Sequence, residues 1–376
     1  MSGAQKTRRV VVTGGGTAGH IFPALEFLEA YRQEYNADGC YIGCRSGLES
    51  KLVPGRGVRF EVIPGLPWAR ERWFGQFRAA ASLPAGIRAA RRILVREQAE
   101  VVIGTGGYAS FGTCAAAQTL GIPVVIHEAN AEPGLANRMI EHFASLVCVG
   151  RPESASHFRR PVVVTGVPFG KIARSGPPQG PPWQFLVLGG SEGSPVLNQL
   201  APLLFGELRR RGLPFTVRHV SGFADPAAIE RAYATAGVSA RVERFVDPIA
   251  SLYAGAALAV TSAGARTLAE LAAAGVPALL VPLEGAAHNH QAANARLYAS
   301  HLGYGLVLED PWQIATVAGS IEHLVSNPAE MRVFSRRAAA WCQPNAARDL
   351  VHACERYLFA HRFAPARNPF TVKAAS

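Results

Sequence analysis

A duplicated local pattern constrains the fold of this chain more than any other feature. An apolar run leads into a glycine-rich turn and then a helical segment, first at residues 10–20 (Val-Val-Val-Thr-Gly-Gly-Gly-Thr-Ala-Gly-His) and again at 185–193 (Phe-Leu-Val-Leu-Gly-Gly-Ser-Glu-Gly). One such strand–turn–helix unit begins one Rossmann-like domain. The 376 residues suffice for two such domains. The pattern therefore predicts an α/β protein whose two Rossmann-like domains face each other across a cleft.

Apolar runs of strand length recur through both halves of the chain. Strands without polar alternation are predicted at residues 10–12, 40–42, 101–103, 124–126 and 147–149, and then at 185–188, 216–220, 257–260 and 278–281. Helical patterns lie between them, and this βαβ order predicts parallel, doubly wound sheets. A proline- and glycine-rich stretch at 171–182 lies near the boundary between a first domain over 1–165 and a second over 166–344. A helix over 345–363 closes the fold.

Composition excludes some classes of protein and leaves the partner open. With 49% hydrophobic and 17% charged residues, the chain has the composition of a globular protein. It has no apolar run long enough for a membrane-spanning helix, and residues 1–9 lack the pattern of a signal peptide. The six scattered cysteines suggest reduced thiols of a cytoplasmic protein. A net charge of +11 implies an anionic partner, which could be nucleic acid, a membrane surface or a phosphorylated substrate.

The first glycine-rich loop matches G-x-G-x-x-G through Gly14, Gly16 and Gly19, which alone is weak evidence for dinucleotide binding. No carboxylate ends the second strand, although Arg45 could accept a 2′-phosphate, so an NADP-dependent oxidoreductase stays open. His20 follows the loop and is a candidate general base, because an imidazole titrates near neutrality. The alternative is a histidine that only bonds the backbone at a helix start.

Two further segments follow predicted strands of the first half. Residues 104–108 form a tight turn with free backbone N–H groups, and His127 and Glu128 follow the next strand along the chain. The carboxyl ends of parallel strands are where open α/β sheets bind ligands. For His127 and Glu128 the alternative is mutual satisfaction within a polar loop.

The strongest functional segment is residues 261–270, where a strand, a small-residue turn and a helix starting near Ala265 follow one another. The positive end of that helix, which is predicted to stop at Gly275, would attract a pyrophosphate. Glu270 lies one turn into the helix and could accept two ribose hydroxyls, or it could merely favour the helix N-terminus. Because the chain lacks an Asp-x-Asp pair, we expect backbone dipoles and Arg266 to offset a diphosphate instead of a metal.

Two other patterns have simpler competing explanations. His288 and His290 are spaced like metal ligands, but no carboxylate or cysteine lies at a useful spacing. Four aromatic residues lie among arginines, as in a peripheral membrane contact, or they could pack as ordinary core. They are Trp68, Trp73, Phe74 and Phe77.

Taken in order, these motifs resemble the MurG family, the UDP-N-acetylglucosamine:N-acetylmuramyl-(pentapeptide) pyrophosphoryl-undecaprenol N-acetylglucosaminyltransferases. The similar segments are residues 14–23, 106–108, 122–130, 189–193, 197–198, 264–270, 291 and 294–295. The resemblance spans roughly residues 8–345. It implies the two-Rossmann GT-B glycosyltransferase fold, whose last helix crosses back to the first domain.

The resemblance also implies a role for each matching residue. His20 is the expected catalytic base, and the acceptor side comprises Gly16, Gly106, Gly107, Tyr108, His127 and Glu128. Thr17 and Gly19 lie in the same half and are expected, with Asn130, to reach the donor. The other expected donor contacts are Ser191, Asn198, Val246, Ala265, Arg266, Thr267, Glu270, His290 and Gln291. The aromatic residues at 68–77 occupy the family's membrane patch.

The reaction implied is the inverting transfer of N-acetylglucosamine from UDP-N-acetylglucosamine to the 4-hydroxyl of undecaprenyl-pyrophosphoryl-N-acetylmuramyl-pentapeptide. This step converts lipid I to lipid II in peptidoglycan biosynthesis. The implied enzyme needs no cofactor, beyond a non-specific stimulation by divalent cations. It is expected at the cytoplasmic face of the bacterial plasma membrane as a peripheral protein, on an anionic surface and without nucleic acid.

Departures from the family pattern cluster in the donor half. Gly170 stands where arginine is common, Ser262 and Ala263 stand where arginine followed by a small residue is usual, and His288 replaces an acidic residue. Two alternatives therefore stay open: a glycosyltransferase of this fold with another acceptor, and a catalytically silent UDP-sugar-binding protein at the membrane.

Overall fold

The computed structural model describes all residues except 1–6, 66–72, 175–177, 179, 283–288, 303–305, 308–309, 311 and 364–376. For 73–81, 289, 306–307 and 359–363 it describes the backbone only. The chain divides into two compact units. The first comprises residues 1–129, 133–168 and 345–376, and the second comprises 130–132 and 169–344. The division after residue 168 lies three residues beyond the boundary that the sequence suggests.

The first unit contains a parallel sheet of seven strands in the order β3-β2-β1-β4-β5-β6-β7. Its elements are β1 (Arg8–Thr13), α1 (Ala18–Glu34), β2 (Ala37–Cys44), α2 (Glu49–Leu52), β3 (Arg59–Ile63), α3 (Trp73–Arg96), β4 (Val101–Gly104), α4 (Tyr108–Thr119), β5 (Val124–Glu128), α5 (Leu135–Ile140), β6 (Leu146–Val149) and β7 (Val162–Val164). The last helix of the chain, α13 (Ala346–Phe363), packs against α1 in this unit. All neighbouring strands of this sheet run parallel.

The second unit contains a parallel sheet of six strands in the order β10-β9-β8-β11-β12-β13. Its elements are β8 (Trp183–Leu188), α6 (Pro195–Arg210), β9 (Phe215–Val220), α7 (Pro226–Thr235), β10 (Ala240–Glu243), α8 (Ala250–Tyr253), β11 (Ala256–Thr261), α9 (Ala265–Ala274), β12 (Ala278–Leu280), α10 (Asn289–Leu302), β13 (Leu306–Val307), α11 (Ile314–Val325) and α12 (Pro328–Trp341). Two parallel-sheet α/β domains are therefore confirmed.

Helices cover both faces of each sheet, which explains why the inner strands carry apolar side chains without alternation. In the first unit, Phe27 of α1 and Leu350 of α13 pack on one face of the sheet, and Leu94 of α3 packs on the other. Burying one such side chain contributes about 1.5–3 kcal/mol. In the second unit, α6, α7 and α11 cover one face, and α9, α10 and α12 cover the other.

Helix α1 contains a proline, Pro23, within its second turn. Proline removes one helical hydrogen bond, which would go to the carbonyl of Gly19. Gly19 is exposed, so water can replace that bond at little cost. Among the described residues, none of the helices is long and apolar enough to cross a membrane.

The predicted membrane patch lies largely beyond what the structure describes. Trp68 is outside the described residues. Trp73, Phe74 and Phe77 lie on α3, and their side chains are outside the described part of the chain. All six cysteines are free thiols, of which five are buried.

Candidate functional site

The first glycine-rich loop connects β1 to α1 and places His20 in the first turn of that helix. The Nδ1 atom of His20 lies 2.9 Å from the carbonyl oxygen of Gly15 and 3.5 Å from the hydroxyl of Thr17. A carbonyl oxygen can only accept, so Nδ1 carries the ring proton and donates it to Gly15. This tautomer leaves the lone pair on Nε2, which is the arrangement a general base requires.

A second loop, after β4, packs directly against the first. The N–H of Gly15 donates to the carbonyl of Gly106 at 3.2 Å, and the hydroxyl of Thr105 donates to the carbonyl of His20 at 2.7 Å. A Cβ on Gly107 would lie 2.2 Å from the Gly15 oxygen, and a Cβ on Gly106 would lie 3.0 Å from His20 Nε2. Both glycines also have positive φ angles. Contact with the first loop and the imidazole therefore explains why these positions are glycine.

The remaining positions of the first loop are more open. Gly16 has a φ of +88° and is exposed, and a Cβ there would have no described atom within 4 Å beyond its chain neighbours. Gly19 is also exposed, and Thr17 is the half-buried N-cap residue of α1. Gly16 and Gly19, unlike Gly106 and Gly107, leave room for a ligand.

Glu49 is a buried residue of this region that the sequence reasoning missed. It is 0% exposed, and its two oxygens accept hydrogen bonds from the N–H groups of Gly16 and Cys44 at 3.3 and 3.1 Å. A Cβ at Gly47 would lie within 2.2 Å of the carboxylate, which shows how tightly the chain wraps around it. In the sequence, Glu49 is a single glutamate close to two glycines, Gly43 and Gly47. That pattern does not distinguish a buried glutamate from a solvent-exposed one.

Three predicted acceptor-side residues are held within the first unit. Tyr108 begins α4, and burial raises the pKa of its phenol above the usual value. His127 is 1% exposed, and its Nε2 donates to the carbonyl of Gly166 at 2.8 Å. Burial lowers the pKa of His127, so it stays neutral. Glu128 accepts from the N–H of Gly134 at 3.0 Å. Glu128 also accepts from Nδ2 of Asn137 at 2.9 Å, so both His127 and Glu128 bond neighbouring segments of the first unit.

The second glycine-rich loop, between β8 and α6, packs against the loop after β9. A Cβ on Gly193 would lie 2.1 Å from the carbonyl oxygen of Ser221, and the φ of Gly193 is +82°. The hydroxyl of Ser194 caps α6 by accepting the N–H of Leu197 at 3.2 Å. Ser191 lies half-buried in this loop.

Asn198 is fixed by a buried histidine. Its Oδ1 accepts from Nε2 of His219 at 2.9 Å, and its Nδ2 donates to the carbonyl of Ser221 at 3.3 Å. Nδ1 of His219 lies 3.0 Å from the hydroxyl of Tyr233, which therefore donates to it. Asn198 is thus oriented through β9 and α7, and no sequence signal pointed to His219.

Acid should weaken the second unit through His219. Burial lowers the pKa of His219 to about 4, below its ordinary value of 6.5. The neutral ring therefore contributes its full stability above pH 6.5, and this is lost as the pH falls toward 4. At about 1.4 kcal/mol per unit the loss approaches about 3 kcal/mol. Urea unfolding between pH 7 and 4 should show a flatter pH dependence for His219→Gln, whereas the exposed His142→Gln should match the parent chain.

Helix α9 begins and ends where the sequence predicts. Its N-cap residue is Gly264, which offers no side-chain cap to the first N–H groups of the helix, and Gly275 ends it with a φ of +74°. Glu270 is 3% exposed, and its Oε2 accepts from the hydroxyl of Tyr253 at 2.8 Å. Nε of Arg266 lies 2.8 Å from Glu270 Oε1 and forms an ion pair with it. Glu270 therefore partly neutralises the positive charge of Arg266.

The other predicted donor residues of the second unit lie on several elements. Asn130 accepts from Nδ2 of Asn294, whose other bond goes to the carbonyl of Ala263 at 3.0 Å. His290 and Gln291 lie half-buried in the first turn of α10. Val246, which follows β10, is also half-buried. His288 is outside the described residues. Within the described ranges, no three His, Cys, Asp or Glu side chains come together as metal ligands.

The comparisons with known proteins cover nearly the whole chain. Residues 10–149 match the glycosyltransferase family 28 N-terminal domain, and residues 185–352 match the family's C-terminal domain. The chain is therefore not the NADP-dependent oxidoreductase that the first loop left open.

Individual relatives agree with this assignment. The chain is 35% identical over 361 residues to the UDP-N-acetylglucosamine–N-acetylmuramyl-(pentapeptide) pyrophosphoryl-undecaprenol N-acetylglucosamine transferase of Magnetococcus marinus, covering 92% of this chain and 96% of the relative. The protein of the same name from Nitratidesulfovibrio vulgaris strain Hildenborough is 36% identical over 92% of this chain and 96% of its own length. The crystal structure of Acinetobacter baumannii MurG superposes with a TM-score of 0.72 at 27% identity, covering 93% of this chain and 99% of that one.

This architecture is that of the GT-B glycosyltransferases, as the resemblance implied. The chain belongs to glycosyltransferase family 28 and, within it, to the MurG family of N-acetylglucosaminyltransferases.

Proposed function

We propose that this chain transfers N-acetylglucosamine from UDP-N-acetylglucosamine to the 4-hydroxyl of undecaprenyl-pyrophosphoryl-N-acetylmuramyl-pentapeptide, with inversion at the anomeric carbon. The transfer converts lipid I to lipid II in peptidoglycan synthesis. Similarity over more than nine-tenths of the chain to transferases of that name is the observation that carries the proposal.

His20 acts as the base in this mechanism. Its Nε2 takes the proton of the acceptor hydroxyl as that oxygen attacks the anomeric carbon and the bond from that carbon to UDP breaks. The hydrogen bond from Nδ1 to Gly15 supports this role, because it fixes both the ring orientation and the tautomer. Gly16 and Thr17 of the loop and Gly19 of the first turn of α1 border the reacting sugars.

The second unit binds the donor in this proposal. The uncapped N–H groups of Ala265, Arg266 and Thr267 stabilise the diphosphate as negative charge develops on it. Glu270 accepts the ribose hydroxyls, because two of its lone-pair directions remain beyond those used by Tyr253 and Arg266. No resident metal is needed, and divalent cations stimulate only non-specifically.

Replacing Glu270 with glutamine should raise KM for UDP-N-acetylglucosamine by about 10- to 100-fold, since a hydrogen bond to a charged group contributes about 1.5–3 kcal/mol. Steady-state kinetics at varied donor concentration measure the change. Glu207→Gln is the matched control, because Glu207 of α6 also pairs with an arginine four residues away, Arg211, which directly follows that helix. An unchanged KM in Glu270→Gln would contradict the ribose assignment.

The enzyme works as a peripheral protein on the cytoplasmic face of the plasma membrane. The net charge of +11 supports attraction to an anionic lipid surface. The proposed reaction involves no nucleic acid. The aromatic residues at 68, 73, 74 and 77 make the apolar part of that contact.

Incubation with radiolabelled UDP-N-acetylglucosamine and lipid I, followed by lipid extraction, tests the function directly. Label is expected in the lipid fraction as lipid II. A parallel panel of other lipid and sugar acceptors distinguishes a different acceptor. UDP-sugar binding without transfer to any acceptor would favour the catalytically silent alternative, for which the absence of arginine at positions 170 and 262 is the motivating observation.

A further inference from the structure

We propose that Glu49 is a positioning residue for the reaction, and that it acts on His20 through the peptide bond between Gly15 and Gly16. The inference rests on the proposed role of His20 as the base. It extends that role to a buried carboxylate that does not touch the imidazole.

The two side chains are hydrogen-bonded to opposite sides of one peptide group. The carbonyl of Gly15 accepts from Nδ1 of His20 at 2.9 Å, and the N–H of Gly16 donates to Oε2 of Glu49 at 3.3 Å. In a trans peptide these carbonyl and N–H groups belong to the same plane and point in opposite directions. Glu49, the peptide and His20 therefore form one continuous chain of hydrogen bonds.

The surroundings of Glu49 fix it in this place. It is 0% exposed, and its second oxygen, Oε1, accepts the N–H of Cys44 at 3.1 Å. A Cβ at Gly43 would lie 2.7 Å from its Cγ. Both oxygens accept from N–H groups, which is how an ionised carboxylate bonds. Among the described residues, no lysine or arginine forms an ion pair with it, so backbone amides compensate its burial.

A negative charge at one end of this chain favours a positive charge at the other. The bond from Gly16 to the carboxylate polarises the peptide and strengthens the acceptor at the Gly15 oxygen. That oxygen then better stabilises the imidazolium formed when Nε2 takes the substrate proton. Glu49 thereby raises the basicity of His20.

The other titratable side chains packed on this loop stay neutral near pH 7. The hydroxyl of Tyr41 donates to the carbonyl of Gly14 at 2.9 Å, and burial raises its pKa well above the usual value. Burial raises the pKa of Cys44 to about 11 and also raises that of Tyr108. Of the side chains named here, Glu49, at the start of α2, therefore supplies the charge.

The test is the pH dependence of Glu49→Gln. Glutamine keeps the size of the side chain and removes the charge, so the pKa of His20, followed by NMR of ¹⁵N-labelled imidazoles, should fall by about one unit. In the plot of kcat against pH, the midpoint of the acidic limb should shift to a lower pH by the same amount, about one unit. The kcat on the plateau should fall by about 3- to 10-fold. KM for UDP-N-acetylglucosamine should stay within about twofold. A purely structural role would leave the limb in place.

Glu141→Gln is the matched control. Glu141 is also a buried carboxylate of the first unit, and it accepts the N–H groups of Arg159 and Arg160. This control should lose stability without moving the His20 titration. An unmoved His20 pKa in Glu49→Gln, or an equal shift in Glu141→Gln, overturns the proposal.

A measurement on the unaltered chain tests the same coupling even if the Glu49→Gln variant misfolds. The amide proton of Gly16 should titrate with the pKa of His20, because the two groups share one peptide, and a flat Gly16 signal would refute the coupling. The NMR readouts do not need turnover. If a His20 variant keeps full activity, His20 is not the base. The NMR titrations of His20 and Gly16 still show whether Glu49 and His20 are coupled.

Discussion

Asparagine in place of His20 is expected to lower kcat by about 100- to 10,000-fold, the range over which a positioned general base contributes. The amide N–H of asparagine can still donate to the carbonyl of Gly15, so the loop should keep its conformation. What it lacks is the basic Nε2. Single-turnover transfer from labelled UDP-N-acetylglucosamine to lipid I measures the effect on chemistry.

The binding of UDP should separate a loss of base from a loss of structure. Calorimetric titration is expected to give the same UDP affinity for His20→Asn and the parent chain. His142→Asn serves as control, since His142 is an exposed histidine of the first unit whose ring bonds the nearby carbonyl of Arg138. Equal losses of kcat and UDP affinity would count against His20 as the base.

Glutamine in place of Glu355 is expected to destabilise the first unit by about 3 kcal/mol, because this buried carboxylate accepts two hydrogen bonds and a bond to a charged group contributes about 1.5–3 kcal/mol. Glu355 lies on α13 with a side chain only 3% exposed, and Arg8 of β1 approaches it at 2.8 Å. The hydroxyl of Tyr31 on α1 also donates to it. One carboxylate thus holds together the first strand, the first helix and the last helix.

Urea unfolding monitored by circular dichroism gives this change in stability. The pair between Glu34 and Arg348 joins the same two helices but is more exposed, with side chains 26% and 56% accessible. Glu34→Gln should therefore cost less than about 1 kcal/mol. If both variants lost the same stability, burial would not be what gives Glu355 its effect.

The sequence predicts the interior of both sheets and misses their edges. Every strand predicted from apolar runs lies inside a sheet, while the described strands that were missed, β3, β7, β10 and β13, are the edge strands. A continuous apolar run marks residues buried on both faces, and an edge strand such as Arg59–Ile63 is half exposed. Its identity depends on pairing with β2, which no local pattern reveals.

The candidate site shows the same division between local and long-range information. The start of α9 at Ala265 and its end at Gly275 follow from local capping and were predicted. The segment with Gly106 and Gly107 was predicted to be a tight turn with free backbone N–H groups, whereas its packing against Gly15 and against His20 of α1 is a long-range contact that no local pattern reveals. His219 and Glu355 were missed because their burial and bonds come from contacts distant in sequence. Glu49 was missed because its bond from Gly16, which links it to the first loop, spans 33 residues. The roles assigned to individual site residues stay predictions.

The place of α13 in the first unit has a consequence for biosynthesis. During translation, the apolar face of α1 emerges early, yet the helix that covers it is made only after the whole second unit. Domains generally fold as units while the ribosome is still extending the chain. The second unit can therefore reach its native state on the ribosome before the first, and the nascent N-terminal region must wait, partly uncovered, for the last helix to arrive.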